Sequence, residues 1–410
     1  MGDYQVTAST FDALLKEDYI RQDIVDAINK ATVFKSKLNR TETIDGRRAI
    51  YPVMTQVAQG NGSRAEGAPL PNFGGGVYQD AIVNTFSHYA RFIVTGQAEV
   101  FSSRNAFVQF VERTLKDTKE GLTLNLARQS WSDGSGTIAM VNGAQVAGTS
   151  TIPVKNAYGV AWGSAAANTT FLVRPGMVVQ FGSENNGGQG YTVSNITGTG
   201  FNIAPALQNG VADASRMTLV NSANQEVEGW LKMVATASFM TSVLGMSSAV
   251  YHAIDRAATP VWEGNVTDAS QAALSLALVR AIKDKLFVRG ETASLCITSP
   301  QIVRDYEALL QPNQRFVPAT KLEGGATTIE HDGLMFTKDK DAPLQALNLV
   351  SPENISWAQR NDPEFIKQGD QILQKVSGYD MKEAVLRWYS NLDCAQPRSQ
   401  AMLYNLNVAA

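Results

Sequence analysis

Residues 59–76 constrain the fold more than any other part of this sequence, because they hold six glycines and two prolines. No regular helix or strand tolerates that density of Gly and Pro. The flanking segments, residues 49–58 and 77–95, are rich in Val, Ile, Tyr, Phe and Thr and predict two long strands. Together they predict an extended β-hairpin with a loose tip. A lone hairpin is marginally stable in water, so we expect it to lie on another surface, that of a second copy of the chain.

The composition excludes several classes of protein. Charged residues make up 18% of the 410 residues, against roughly 25% in typical proteins. A net charge of −3 argues against a protein that coats nucleic acid with positive charge. Two cysteines, Cys296 and Cys394, exclude a disulfide framework and predict buried thiols in an intracellular product. The sequence predicts neither a secretory signal nor a membrane span, so we expect no membrane partner.

Periodicity divides the rest of the chain into helices and strands. Apolar spacing predicts helices over residues 10–31, 104–129, 268–287 and 300–310, with strands at 293–297 and 383–389. Residues 146–222 differ, since they carry five charged residues and short β-type runs separated by turns. This pattern predicts a small all-β module, a sandwich or a barrel, inserted between helical segments. The whole is α+β.

Catalytic and metal-binding patterns are missing from the sequence. Its three histidines, His88, His252 and His331, do not stand at metal-ligand spacing, and we interpret each as structural. Asp339 and Asp341 alternate with lysines, which favours a solvated turn over a metal site. We therefore predict no enzyme, no metal and no cofactor.

A basic stretch follows the first predicted helix. Its cationic residues are Lys35, Lys37, Arg40, Arg47 and Arg48. A solvated or subunit-contacting arm is one interpretation, and contact with nucleic acid or an acidic partner is the other.

Three short motifs, in order, carry a resemblance to a known family. They are Ile254-Asp255-Arg256-Ala257-Ala258-Thr259-Pro260-Val261-Trp262, then Leu295-Cys296-Ile297-Thr298-Ser299-Pro300, then Asp341-Ala342-Pro343 followed by Leu347-Asn348. With the order of arm, hairpin, long helix and α+β remainder, they resemble the major capsid protein of tailed bacteriophages, which has the Hong Kong 97 fold. The resemblance covers nearly the whole chain outside residues 146–222.

The resemblance implies a domain organisation. Residues 1–48 would be the N-terminal helix and arm, 49–98 the extended hairpin loop, and 99–145 the spine helix and the start of the peripheral domain. Residues 146–222 would be the inserted all-β domain, and 223–410 the axial domain with the remainder of the peripheral domain. Inter-subunit contacts would involve Arg64, Glu66, Asp255, Arg256 and Trp262. The basic arm would face the inside of a shell.

The resemblance also implies a function and partners. The chain would self-assemble into homo-pentamers and homo-hexamers of an icosahedral phage head, formed in the host bacterial cytoplasm, that encloses double-stranded DNA without reading its sequence. Partners would be a separate scaffolding protein and a portal, with decoration proteins left open. The namesake of the family carries a Lys–Asn isopeptide cross-link between subunits. The hairpin of this chain contains no lysine, so such a cross-link cannot start from it.

Two alternatives stay open. One is an encapsulin-type nanocompartment shell with the same fold and protein cargo. The other is a carbohydrate-binding protein whose β-module presents an aromatic platform of Trp162, Phe171, Tyr191 and Phe201, although these side chains also suit the core of the module itself.

Overall fold

The computed structural model describes residues 32–72, 74–101, 104–162, 170–310, 319–321, 327–331, 333–367 and 371–407. The predicted helix at residues 10–31 lies outside these ranges. The helices are α1 (Val33–Lys37), α2 (Gly96–Phe101), α3 (Arg104–Gln129), α4 (Trp230–Val234), α5 (Ala237–Ser242), α6 (Leu276–Val288) and α7 (Pro300–Leu310). The strands are β1 (Asn39–Thr41), β2 (Arg48–Gln56), β3 (Val77–Asn84), β4 (Phe86–Thr95), β5 (Ala139–Val141), β6 (Thr151–Lys155), β7 (Val178–Phe181), β8 (Tyr191–Ile196), β9 (Gly200–Ala204), β10 (Arg216–Leu219), β11 (Val250–Tyr251), β12 (Ile254–Asp255), β13 (Asn265–Asp268), β14 (Leu295–Thr298), β15 (Ala319–Lys321), β16 (Thr327–His331), β17 (Leu334–Lys338), β18 (Leu347–Val350), β19 (Ile355–Gln359), β20 (Glu364–Phe365), β21 (Gln374–Lys375), β22 (Met381–Cys394) and β23 (Ala401–Tyr404).

The hairpin is shorter than predicted. The single strand expected at residues 77–95 is two strands, because β3 pairs with β2 whereas β4 pairs with the long strand β22. The break falls at Thr85, whose backbone N–H and hydroxyl both donate to the carbonyl of Arg47, at 3.3 and 2.9 Å. Strand β4 gains ten paired positions along β22 by leaving the hairpin. The Gly-rich tip closes tightly, since a Cβ on Gly74 would lie 2.8 Å from the backbone nitrogen of Gly60.

Two larger sheets build the body. One has the order β1-β19-β22-β20, with β4 and β21 also paired to β22. The other is mixed and has the order β13-β23-β18-β14-β17-β16-β15. Helix α3 matches the predicted helix at residues 104–129, and α7 matches the one at 300–310.

The predicted helix at residues 268–287 begins too early. Asp268 ends β13, which pairs in parallel with β23. The helix starts after Ser275, whose side chain accepts a hydrogen bond from the N–H of Leu278 at 3.3 Å, and it continues to Val288.

A closed six-stranded barrel, with the order β10-β5-β6-β9-β8-β7, occupies the region of the predicted β-module. It includes β5, which lies before residue 146. Gly200 lets β9 approach β6, because a Cβ there would lie 2.4 Å from the carbonyl oxygen of Ile152.

The barrel and the body share one hydrophobic core. Tyr158, beside the barrel, donates its hydroxyl to the carbonyl of Asp341 at 2.6 Å. Trp162 donates to the carbonyl of Leu344 at 3.1 Å, and its ring centroid lies 5.2 Å from that of Tyr404. These contacts fix the barrel to the second sheet.

Candidate inter-subunit surface

Buried and half-buried polar side chains hold the base of the hairpin on the body. The hydroxyl of Tyr51 in β2 donates to Asp393 Oδ1 in β22 at 2.8 Å. His252 is buried with its Nε2 3.3 Å from Glu228 Oε2 and its Nδ1 3.5 Å from Asp393 Oδ1. Its carbonyl accepts a hydrogen bond from the N–H of Ile82 in β3 at 2.9 Å. The hairpin therefore leaves the body from a fixed base.

The hairpin exposes large apolar side chains from its base to its tip. Ile50 and Met54 on β2 are 56% and 51% exposed, and Tyr78 opposite Met54 on β3 is 64% exposed. Val57 and Leu70, towards the tip, are also exposed. An exposed apolar strip of this kind is typical of a surface that another macromolecule covers.

Three of the predicted contact residues are accessible. Arg64 and Glu66 lie exposed near the hairpin tip, and Asp255 is exposed at the end of β12. Their role in inter-subunit contact stays a prediction.

Arg256 and Trp262 are placed differently from the prediction. Arg256 is 0% exposed and Trp262 only 3% exposed, so their side chains offer almost no surface to a neighbouring subunit. The guanidinium of Arg256 instead donates to backbone carbonyls of the same chain, those of Trp262 (3.0 Å), Lys232 (2.7 Å), Ala235 (2.7 Å) and Met233 (2.7 Å). It also lies 4.5 Å from the ring centroid of Tyr251. Burial lowers the pKa of Arg256 to about 10, which leaves it charged at neutral pH. Arg256 therefore joins α4 and the residue after it to Trp262 within one chain.

Some residues of the basic arm make contacts within their own protomer. Lys35 lies in α1, where burial and the neighbouring charge of Arg40 lower its pKa to about 8. Arg40 pairs with Asp362 at 3.2 Å and lies over the ring of Trp388, 5.4 Å from its centroid. Arg47 and Arg48 are exposed, and Lys37 is half-buried. The five residues therefore do not form one free basic patch, although Arg47 and Arg48 together offer charge to a partner.

The expected solvated turn at Asp339 and Asp341 is wrong, because both side chains are 3% exposed. Asp339 caps backbone, since its Oδ2 accepts from the N–H of Phe34 at 2.8 Å and its Oδ1 from the N–H of Asp341 at 2.9 Å. Asp341 Oδ1 lies 3.5 Å from Arg174, and its Oδ2 has no hydrogen-bond partner among the described residues. Burial raises the pKa of Asp341 to about 6.

We expect Asp341 to make the stability of the fold depend on pH. Its pKa rises from the usual 3.8 to about 6 on folding, so the folded state binds the proton more tightly. The resulting stabilisation is complete below pH 3.8 and is lost as the pH rises through 6. Asp341→Asn imitates the protonated form, and at neutral pH we expect it to raise the free energy of unfolding by up to about 3 kcal/mol.

Urea unfolding of the wild-type chain and of Asp341→Asn across this pH range measures the effect. The variant should lack the loss between pH 3.8 and 6. Glu228 should cause a separate loss of stability in acid. Burial opposes its ionisation, but the hydrogen bond and charge of His252 and the charge of Lys232 outweigh burial and lower its pKa to about 2. That loss should occur as the pH falls from 4.5 to 2 in both proteins. A variant less stable than the wild-type chain at neutral pH would contradict the assignment.

The described residues form no arrangement suited to metal binding, since no three His, Cys, Asp or Glu side chains in those ranges could hold an ion. Cys296 and Cys394 are buried, and burial raises the pKa of the Cys394 thiol to about 12. No helix in the part of the chain that the structure describes has the length and apolarity of a membrane span.

The aromatic sugar platform is not formed. Tyr191 and Phe201 are 0% exposed in the barrel core, as the core interpretation of these aromatics expected. Trp162 and Phe171 are half-buried against the shared core. No flat aromatic surface made of these four side chains is open to solvent.

Comparison with known proteins identifies the fold. No protein-family model and no curated protein sequence matches the chain. The Cyanophage A-1(L) capsid asymmetric unit matches it with a TM-score of 0.59 at 11% identity, over 96% of this chain and 96% of that chain. The capsid of a native GTA particle matches with a TM-score of 0.51 at 10% identity, over 98% and 99%. The SrpI encapsulin from Synechococcus elongatus PCC 7942 reaches only 0.30 at 9% identity, over 36% and 54%, which is too slight to carry an argument. The chain therefore has the fold of these two capsid proteins, which confirms the prediction of an α+β, Hong Kong 97-type capsid fold.

Proposed function

We propose that this chain is the major capsid subunit of a tailed-phage head, a structural protein that self-assembles into pentamers and hexamers of an icosahedral shell around double-stranded DNA. The observation that carries the proposal is the fold match to the cyanophage capsid protein over 96% of both chains. A match of that extent leaves little of this chain for a different architecture.

The exposed hairpin supports self-assembly. Rings of five and six subunits require a heterologous contact, in which one surface of a subunit meets a different surface of the next. A hairpin with a rigid base and an exposed apolar strip, Ile50, Met54 and Tyr78, supplies one such surface. The low proportion of charged residues, 18%, reduces the cost of desolvating large interfaces.

The finer assignments belong to the same proposal. The barrel would be an inserted domain that decorates the shell. Arg47 and Arg48 would face the interior, where packaged DNA or a scaffolding protein supplies negative charge. Assembly would take place in the host bacterial cytoplasm with a separate scaffolding protein and a portal, and without enzymatic activity in this chain.

Electron microscopy with light scattering tests the proposal directly. The protein is expressed alone and together with its neighbouring genes, and the particles are purified and treated with nuclease. We expect closed shells, rings of five or six subunits, or tubes, with nuclease-protected DNA when packaging genes are present. Shells that hold protein and no DNA would favour the encapsulin-type alternative. A monomer under every condition would contradict self-assembly.

The charged hairpin tip offers a sharper test of the contact residues. Arg64→Glu and Glu66→Lys change exposed side chains, so we expect the free energy of unfolding to stay within about 0.5 kcal/mol of the wild-type value. If the tip contacts a neighbouring subunit, both variants should lower the yield of closed shells. Glu353→Lys, the same charge change at an exposed position before β19, is the matched control and should assemble normally. Wild-type shell yields from both tip variants would remove these two residues from the interface.

A further inference from the structure

The hairpin has one open edge. Strands β2 and β3 form a two-stranded sheet, and within the described residues the only other pairing of β2 is a bridge between Arg48 and Asp45 at its start. The opposite edge of β3 is partly covered, because the N–H of Ile82 donates to the carbonyl of His252. The free edge of β2 faces a groove of about 380 Å³ bounded by Val261, Trp262 and the segment Ala395-Gln396-Pro397-Arg398. An exposed edge beside an apolar face is a template for the addition of a further strand.

The register shows which backbone groups point out of that edge. The N–H of Ile82 points away from β2, so the opposed pair Ile50 and Ile82 is a non-hydrogen-bonded pair of the antiparallel ladder. Because the two kinds of pair alternate, Pro52 and Met54 also direct their backbone outwards, whereas Tyr51 and Val53 face β3.

Pro52 therefore stands in the middle of the open edge, at a position whose N–H would point outwards. Because position 52 faces away from β3, proline there costs the hairpin none of its own backbone hydrogen bonds. Because proline has no N–H, the open edge lacks a donor that an added strand would need. The outward donors on either side of Pro52 are Ile50 and Met54, which lie four residues apart, roughly 13 Å along the strand. Arg48, the first residue of β2, forms a bridge with Asp45.

We propose that Pro52 prevents second copies of this chain from adding a strand to the edge of β2, so that they contact the hairpin through its exposed apolar face. The part that names the second copy rests on the proposed function. The part that concerns the edge rests on the register alone. Ile50, Met54 and Tyr78 supply the face, and the missing donor at Pro52 directs a partner to it.

The test restores the donor and then removes a neighbouring one. Pro52→Thr gives the edge an N–H on a residue that favours strands, and we expect it to form β-rich aggregates several-fold faster than the wild-type chain, with fewer closed shells. Pro52→Thr/Met54→Pro moves the proline to the next outward-facing position of the same edge. We expect this double variant to return the aggregation rate towards the wild-type value.

Aggregation is followed by light scattering and a cross-β-binding dye on dissociated protein, with melting temperature as the check on folding. Wild-type aggregation by Pro52→Thr would overturn the proposal, and so would faster aggregation that Met54→Pro fails to reverse. The dye assay does not depend on shell formation. A protein that never forms shells would contradict the proposed function, while the comparison of aggregation rates would still test the edge.

Discussion

Replacing Arg256 with alanine is expected to lower the free energy of unfolding by about 4 kcal/mol or more. The guanidinium donates to four backbone carbonyl oxygens, which Lys232, Met233, Ala235 and Trp262 contribute, and three of these hydrogen bonds are buried. Truncation removes this donor from all four carbonyls at a site where the wild-type side chain is 0% exposed, and each buried group left unsatisfied costs about 1–3 kcal/mol. The measurement is the urea midpoint of dissociated protein, with soluble yield as the first readout.

Two further variants separate the geometry of Arg256 from its charge. Arg256→Lys keeps the charge but replaces a planar fork with a single ammonium, which cannot reach four carbonyls at once. We expect a loss of about 2 kcal/mol, intermediate between the wild-type chain and alanine. Arg304→Ala, at an exposed position of α7, is the control and should change stability by about 0.5 kcal/mol or less. A lysine variant as stable as the wild-type chain would show that charge alone suffices.

The role of Arg256 also shows which features can be predicted from the sequence and which cannot. The motif around it marks the fold, since the resemblance it carries agrees with the cyanophage match. Its location in the interior is not readable from the motif. The four carbonyls come from α4, the residue after it and a turn at Trp262, and these short irregular segments have no periodicity that would indicate a pocket for a guanidinium.

Local signals predicted local elements. Helix α7 begins at Pro300, a residue suited to a first helical turn, and its bounds follow from its apolar spacing. The helix predicted at residues 268–287 begins too early, because Asp268 belongs to β13, and β13 forms only by pairing with β23, far along the chain. The prediction of a single hairpin strand at residues 77–95 is wrong for the same reason, since the partner of β4 is β22, which is distant in sequence.

The burial of charged side chains is the second feature that could not be predicted from the sequence. Asp339 and Asp341, between lysines, have the composition of a solvated turn. The structure buries them because Asp339 caps the backbone of Phe34, a residue 305 positions away. No property of a single segment indicates that contact. Arg64 and Glu66 lie exposed in the Gly/Pro-rich tip, and their part in inter-subunit contact, which the family resemblance implies, stays a prediction.

The buried ion pair between Arg128 and Glu226 gives the second large effect. Arg128, at the end of α3, is 1% exposed, and Glu226 is also 1% exposed. Arg128 donates to Glu226 Oε1, and to Asn125 Oδ1 at 2.9 Å. Burial opposes the charge on Arg128, but Glu226 outweighs it and raises the pKa of the guanidinium. Each member still has an atom, Arg128 Nη1 and Glu226 Oε2, without a hydrogen-bond partner among the residues described.

Breaking this pair should cost far more than removing it. Arg128→Met alone, or Glu226→Leu alone, leaves one charge buried and unpaired, and each should lower the free energy of unfolding by about 3–5 kcal/mol. The double variant Arg128→Met/Glu226→Leu removes both charges and both unpartnered atoms while it keeps apolar volume. We expect it to recover most of the loss, because two apolar side chains of similar size replace a desolvated pair at little or no cost.

A double-mutant cycle in urea measures this coupling. Arg113→Met on the same helix is the matched control, since Arg113 pairs with Asp117 at 3.0 Å on a more exposed face, and its loss should be about 0.5 kcal/mol or less. Losses that simply add in the double variant would contradict the argument, because they would mean that each charge is held by other neighbours. Recovery in the double variant would show that α3 and the segment before α4 need two side chains that match each other at this contact. It would also show that the two side chains need not be charged. The barrel, whose Tyr158 hydroxyl lies 3.5 Å from the carbonyl of Arg128, should then keep its place on the body.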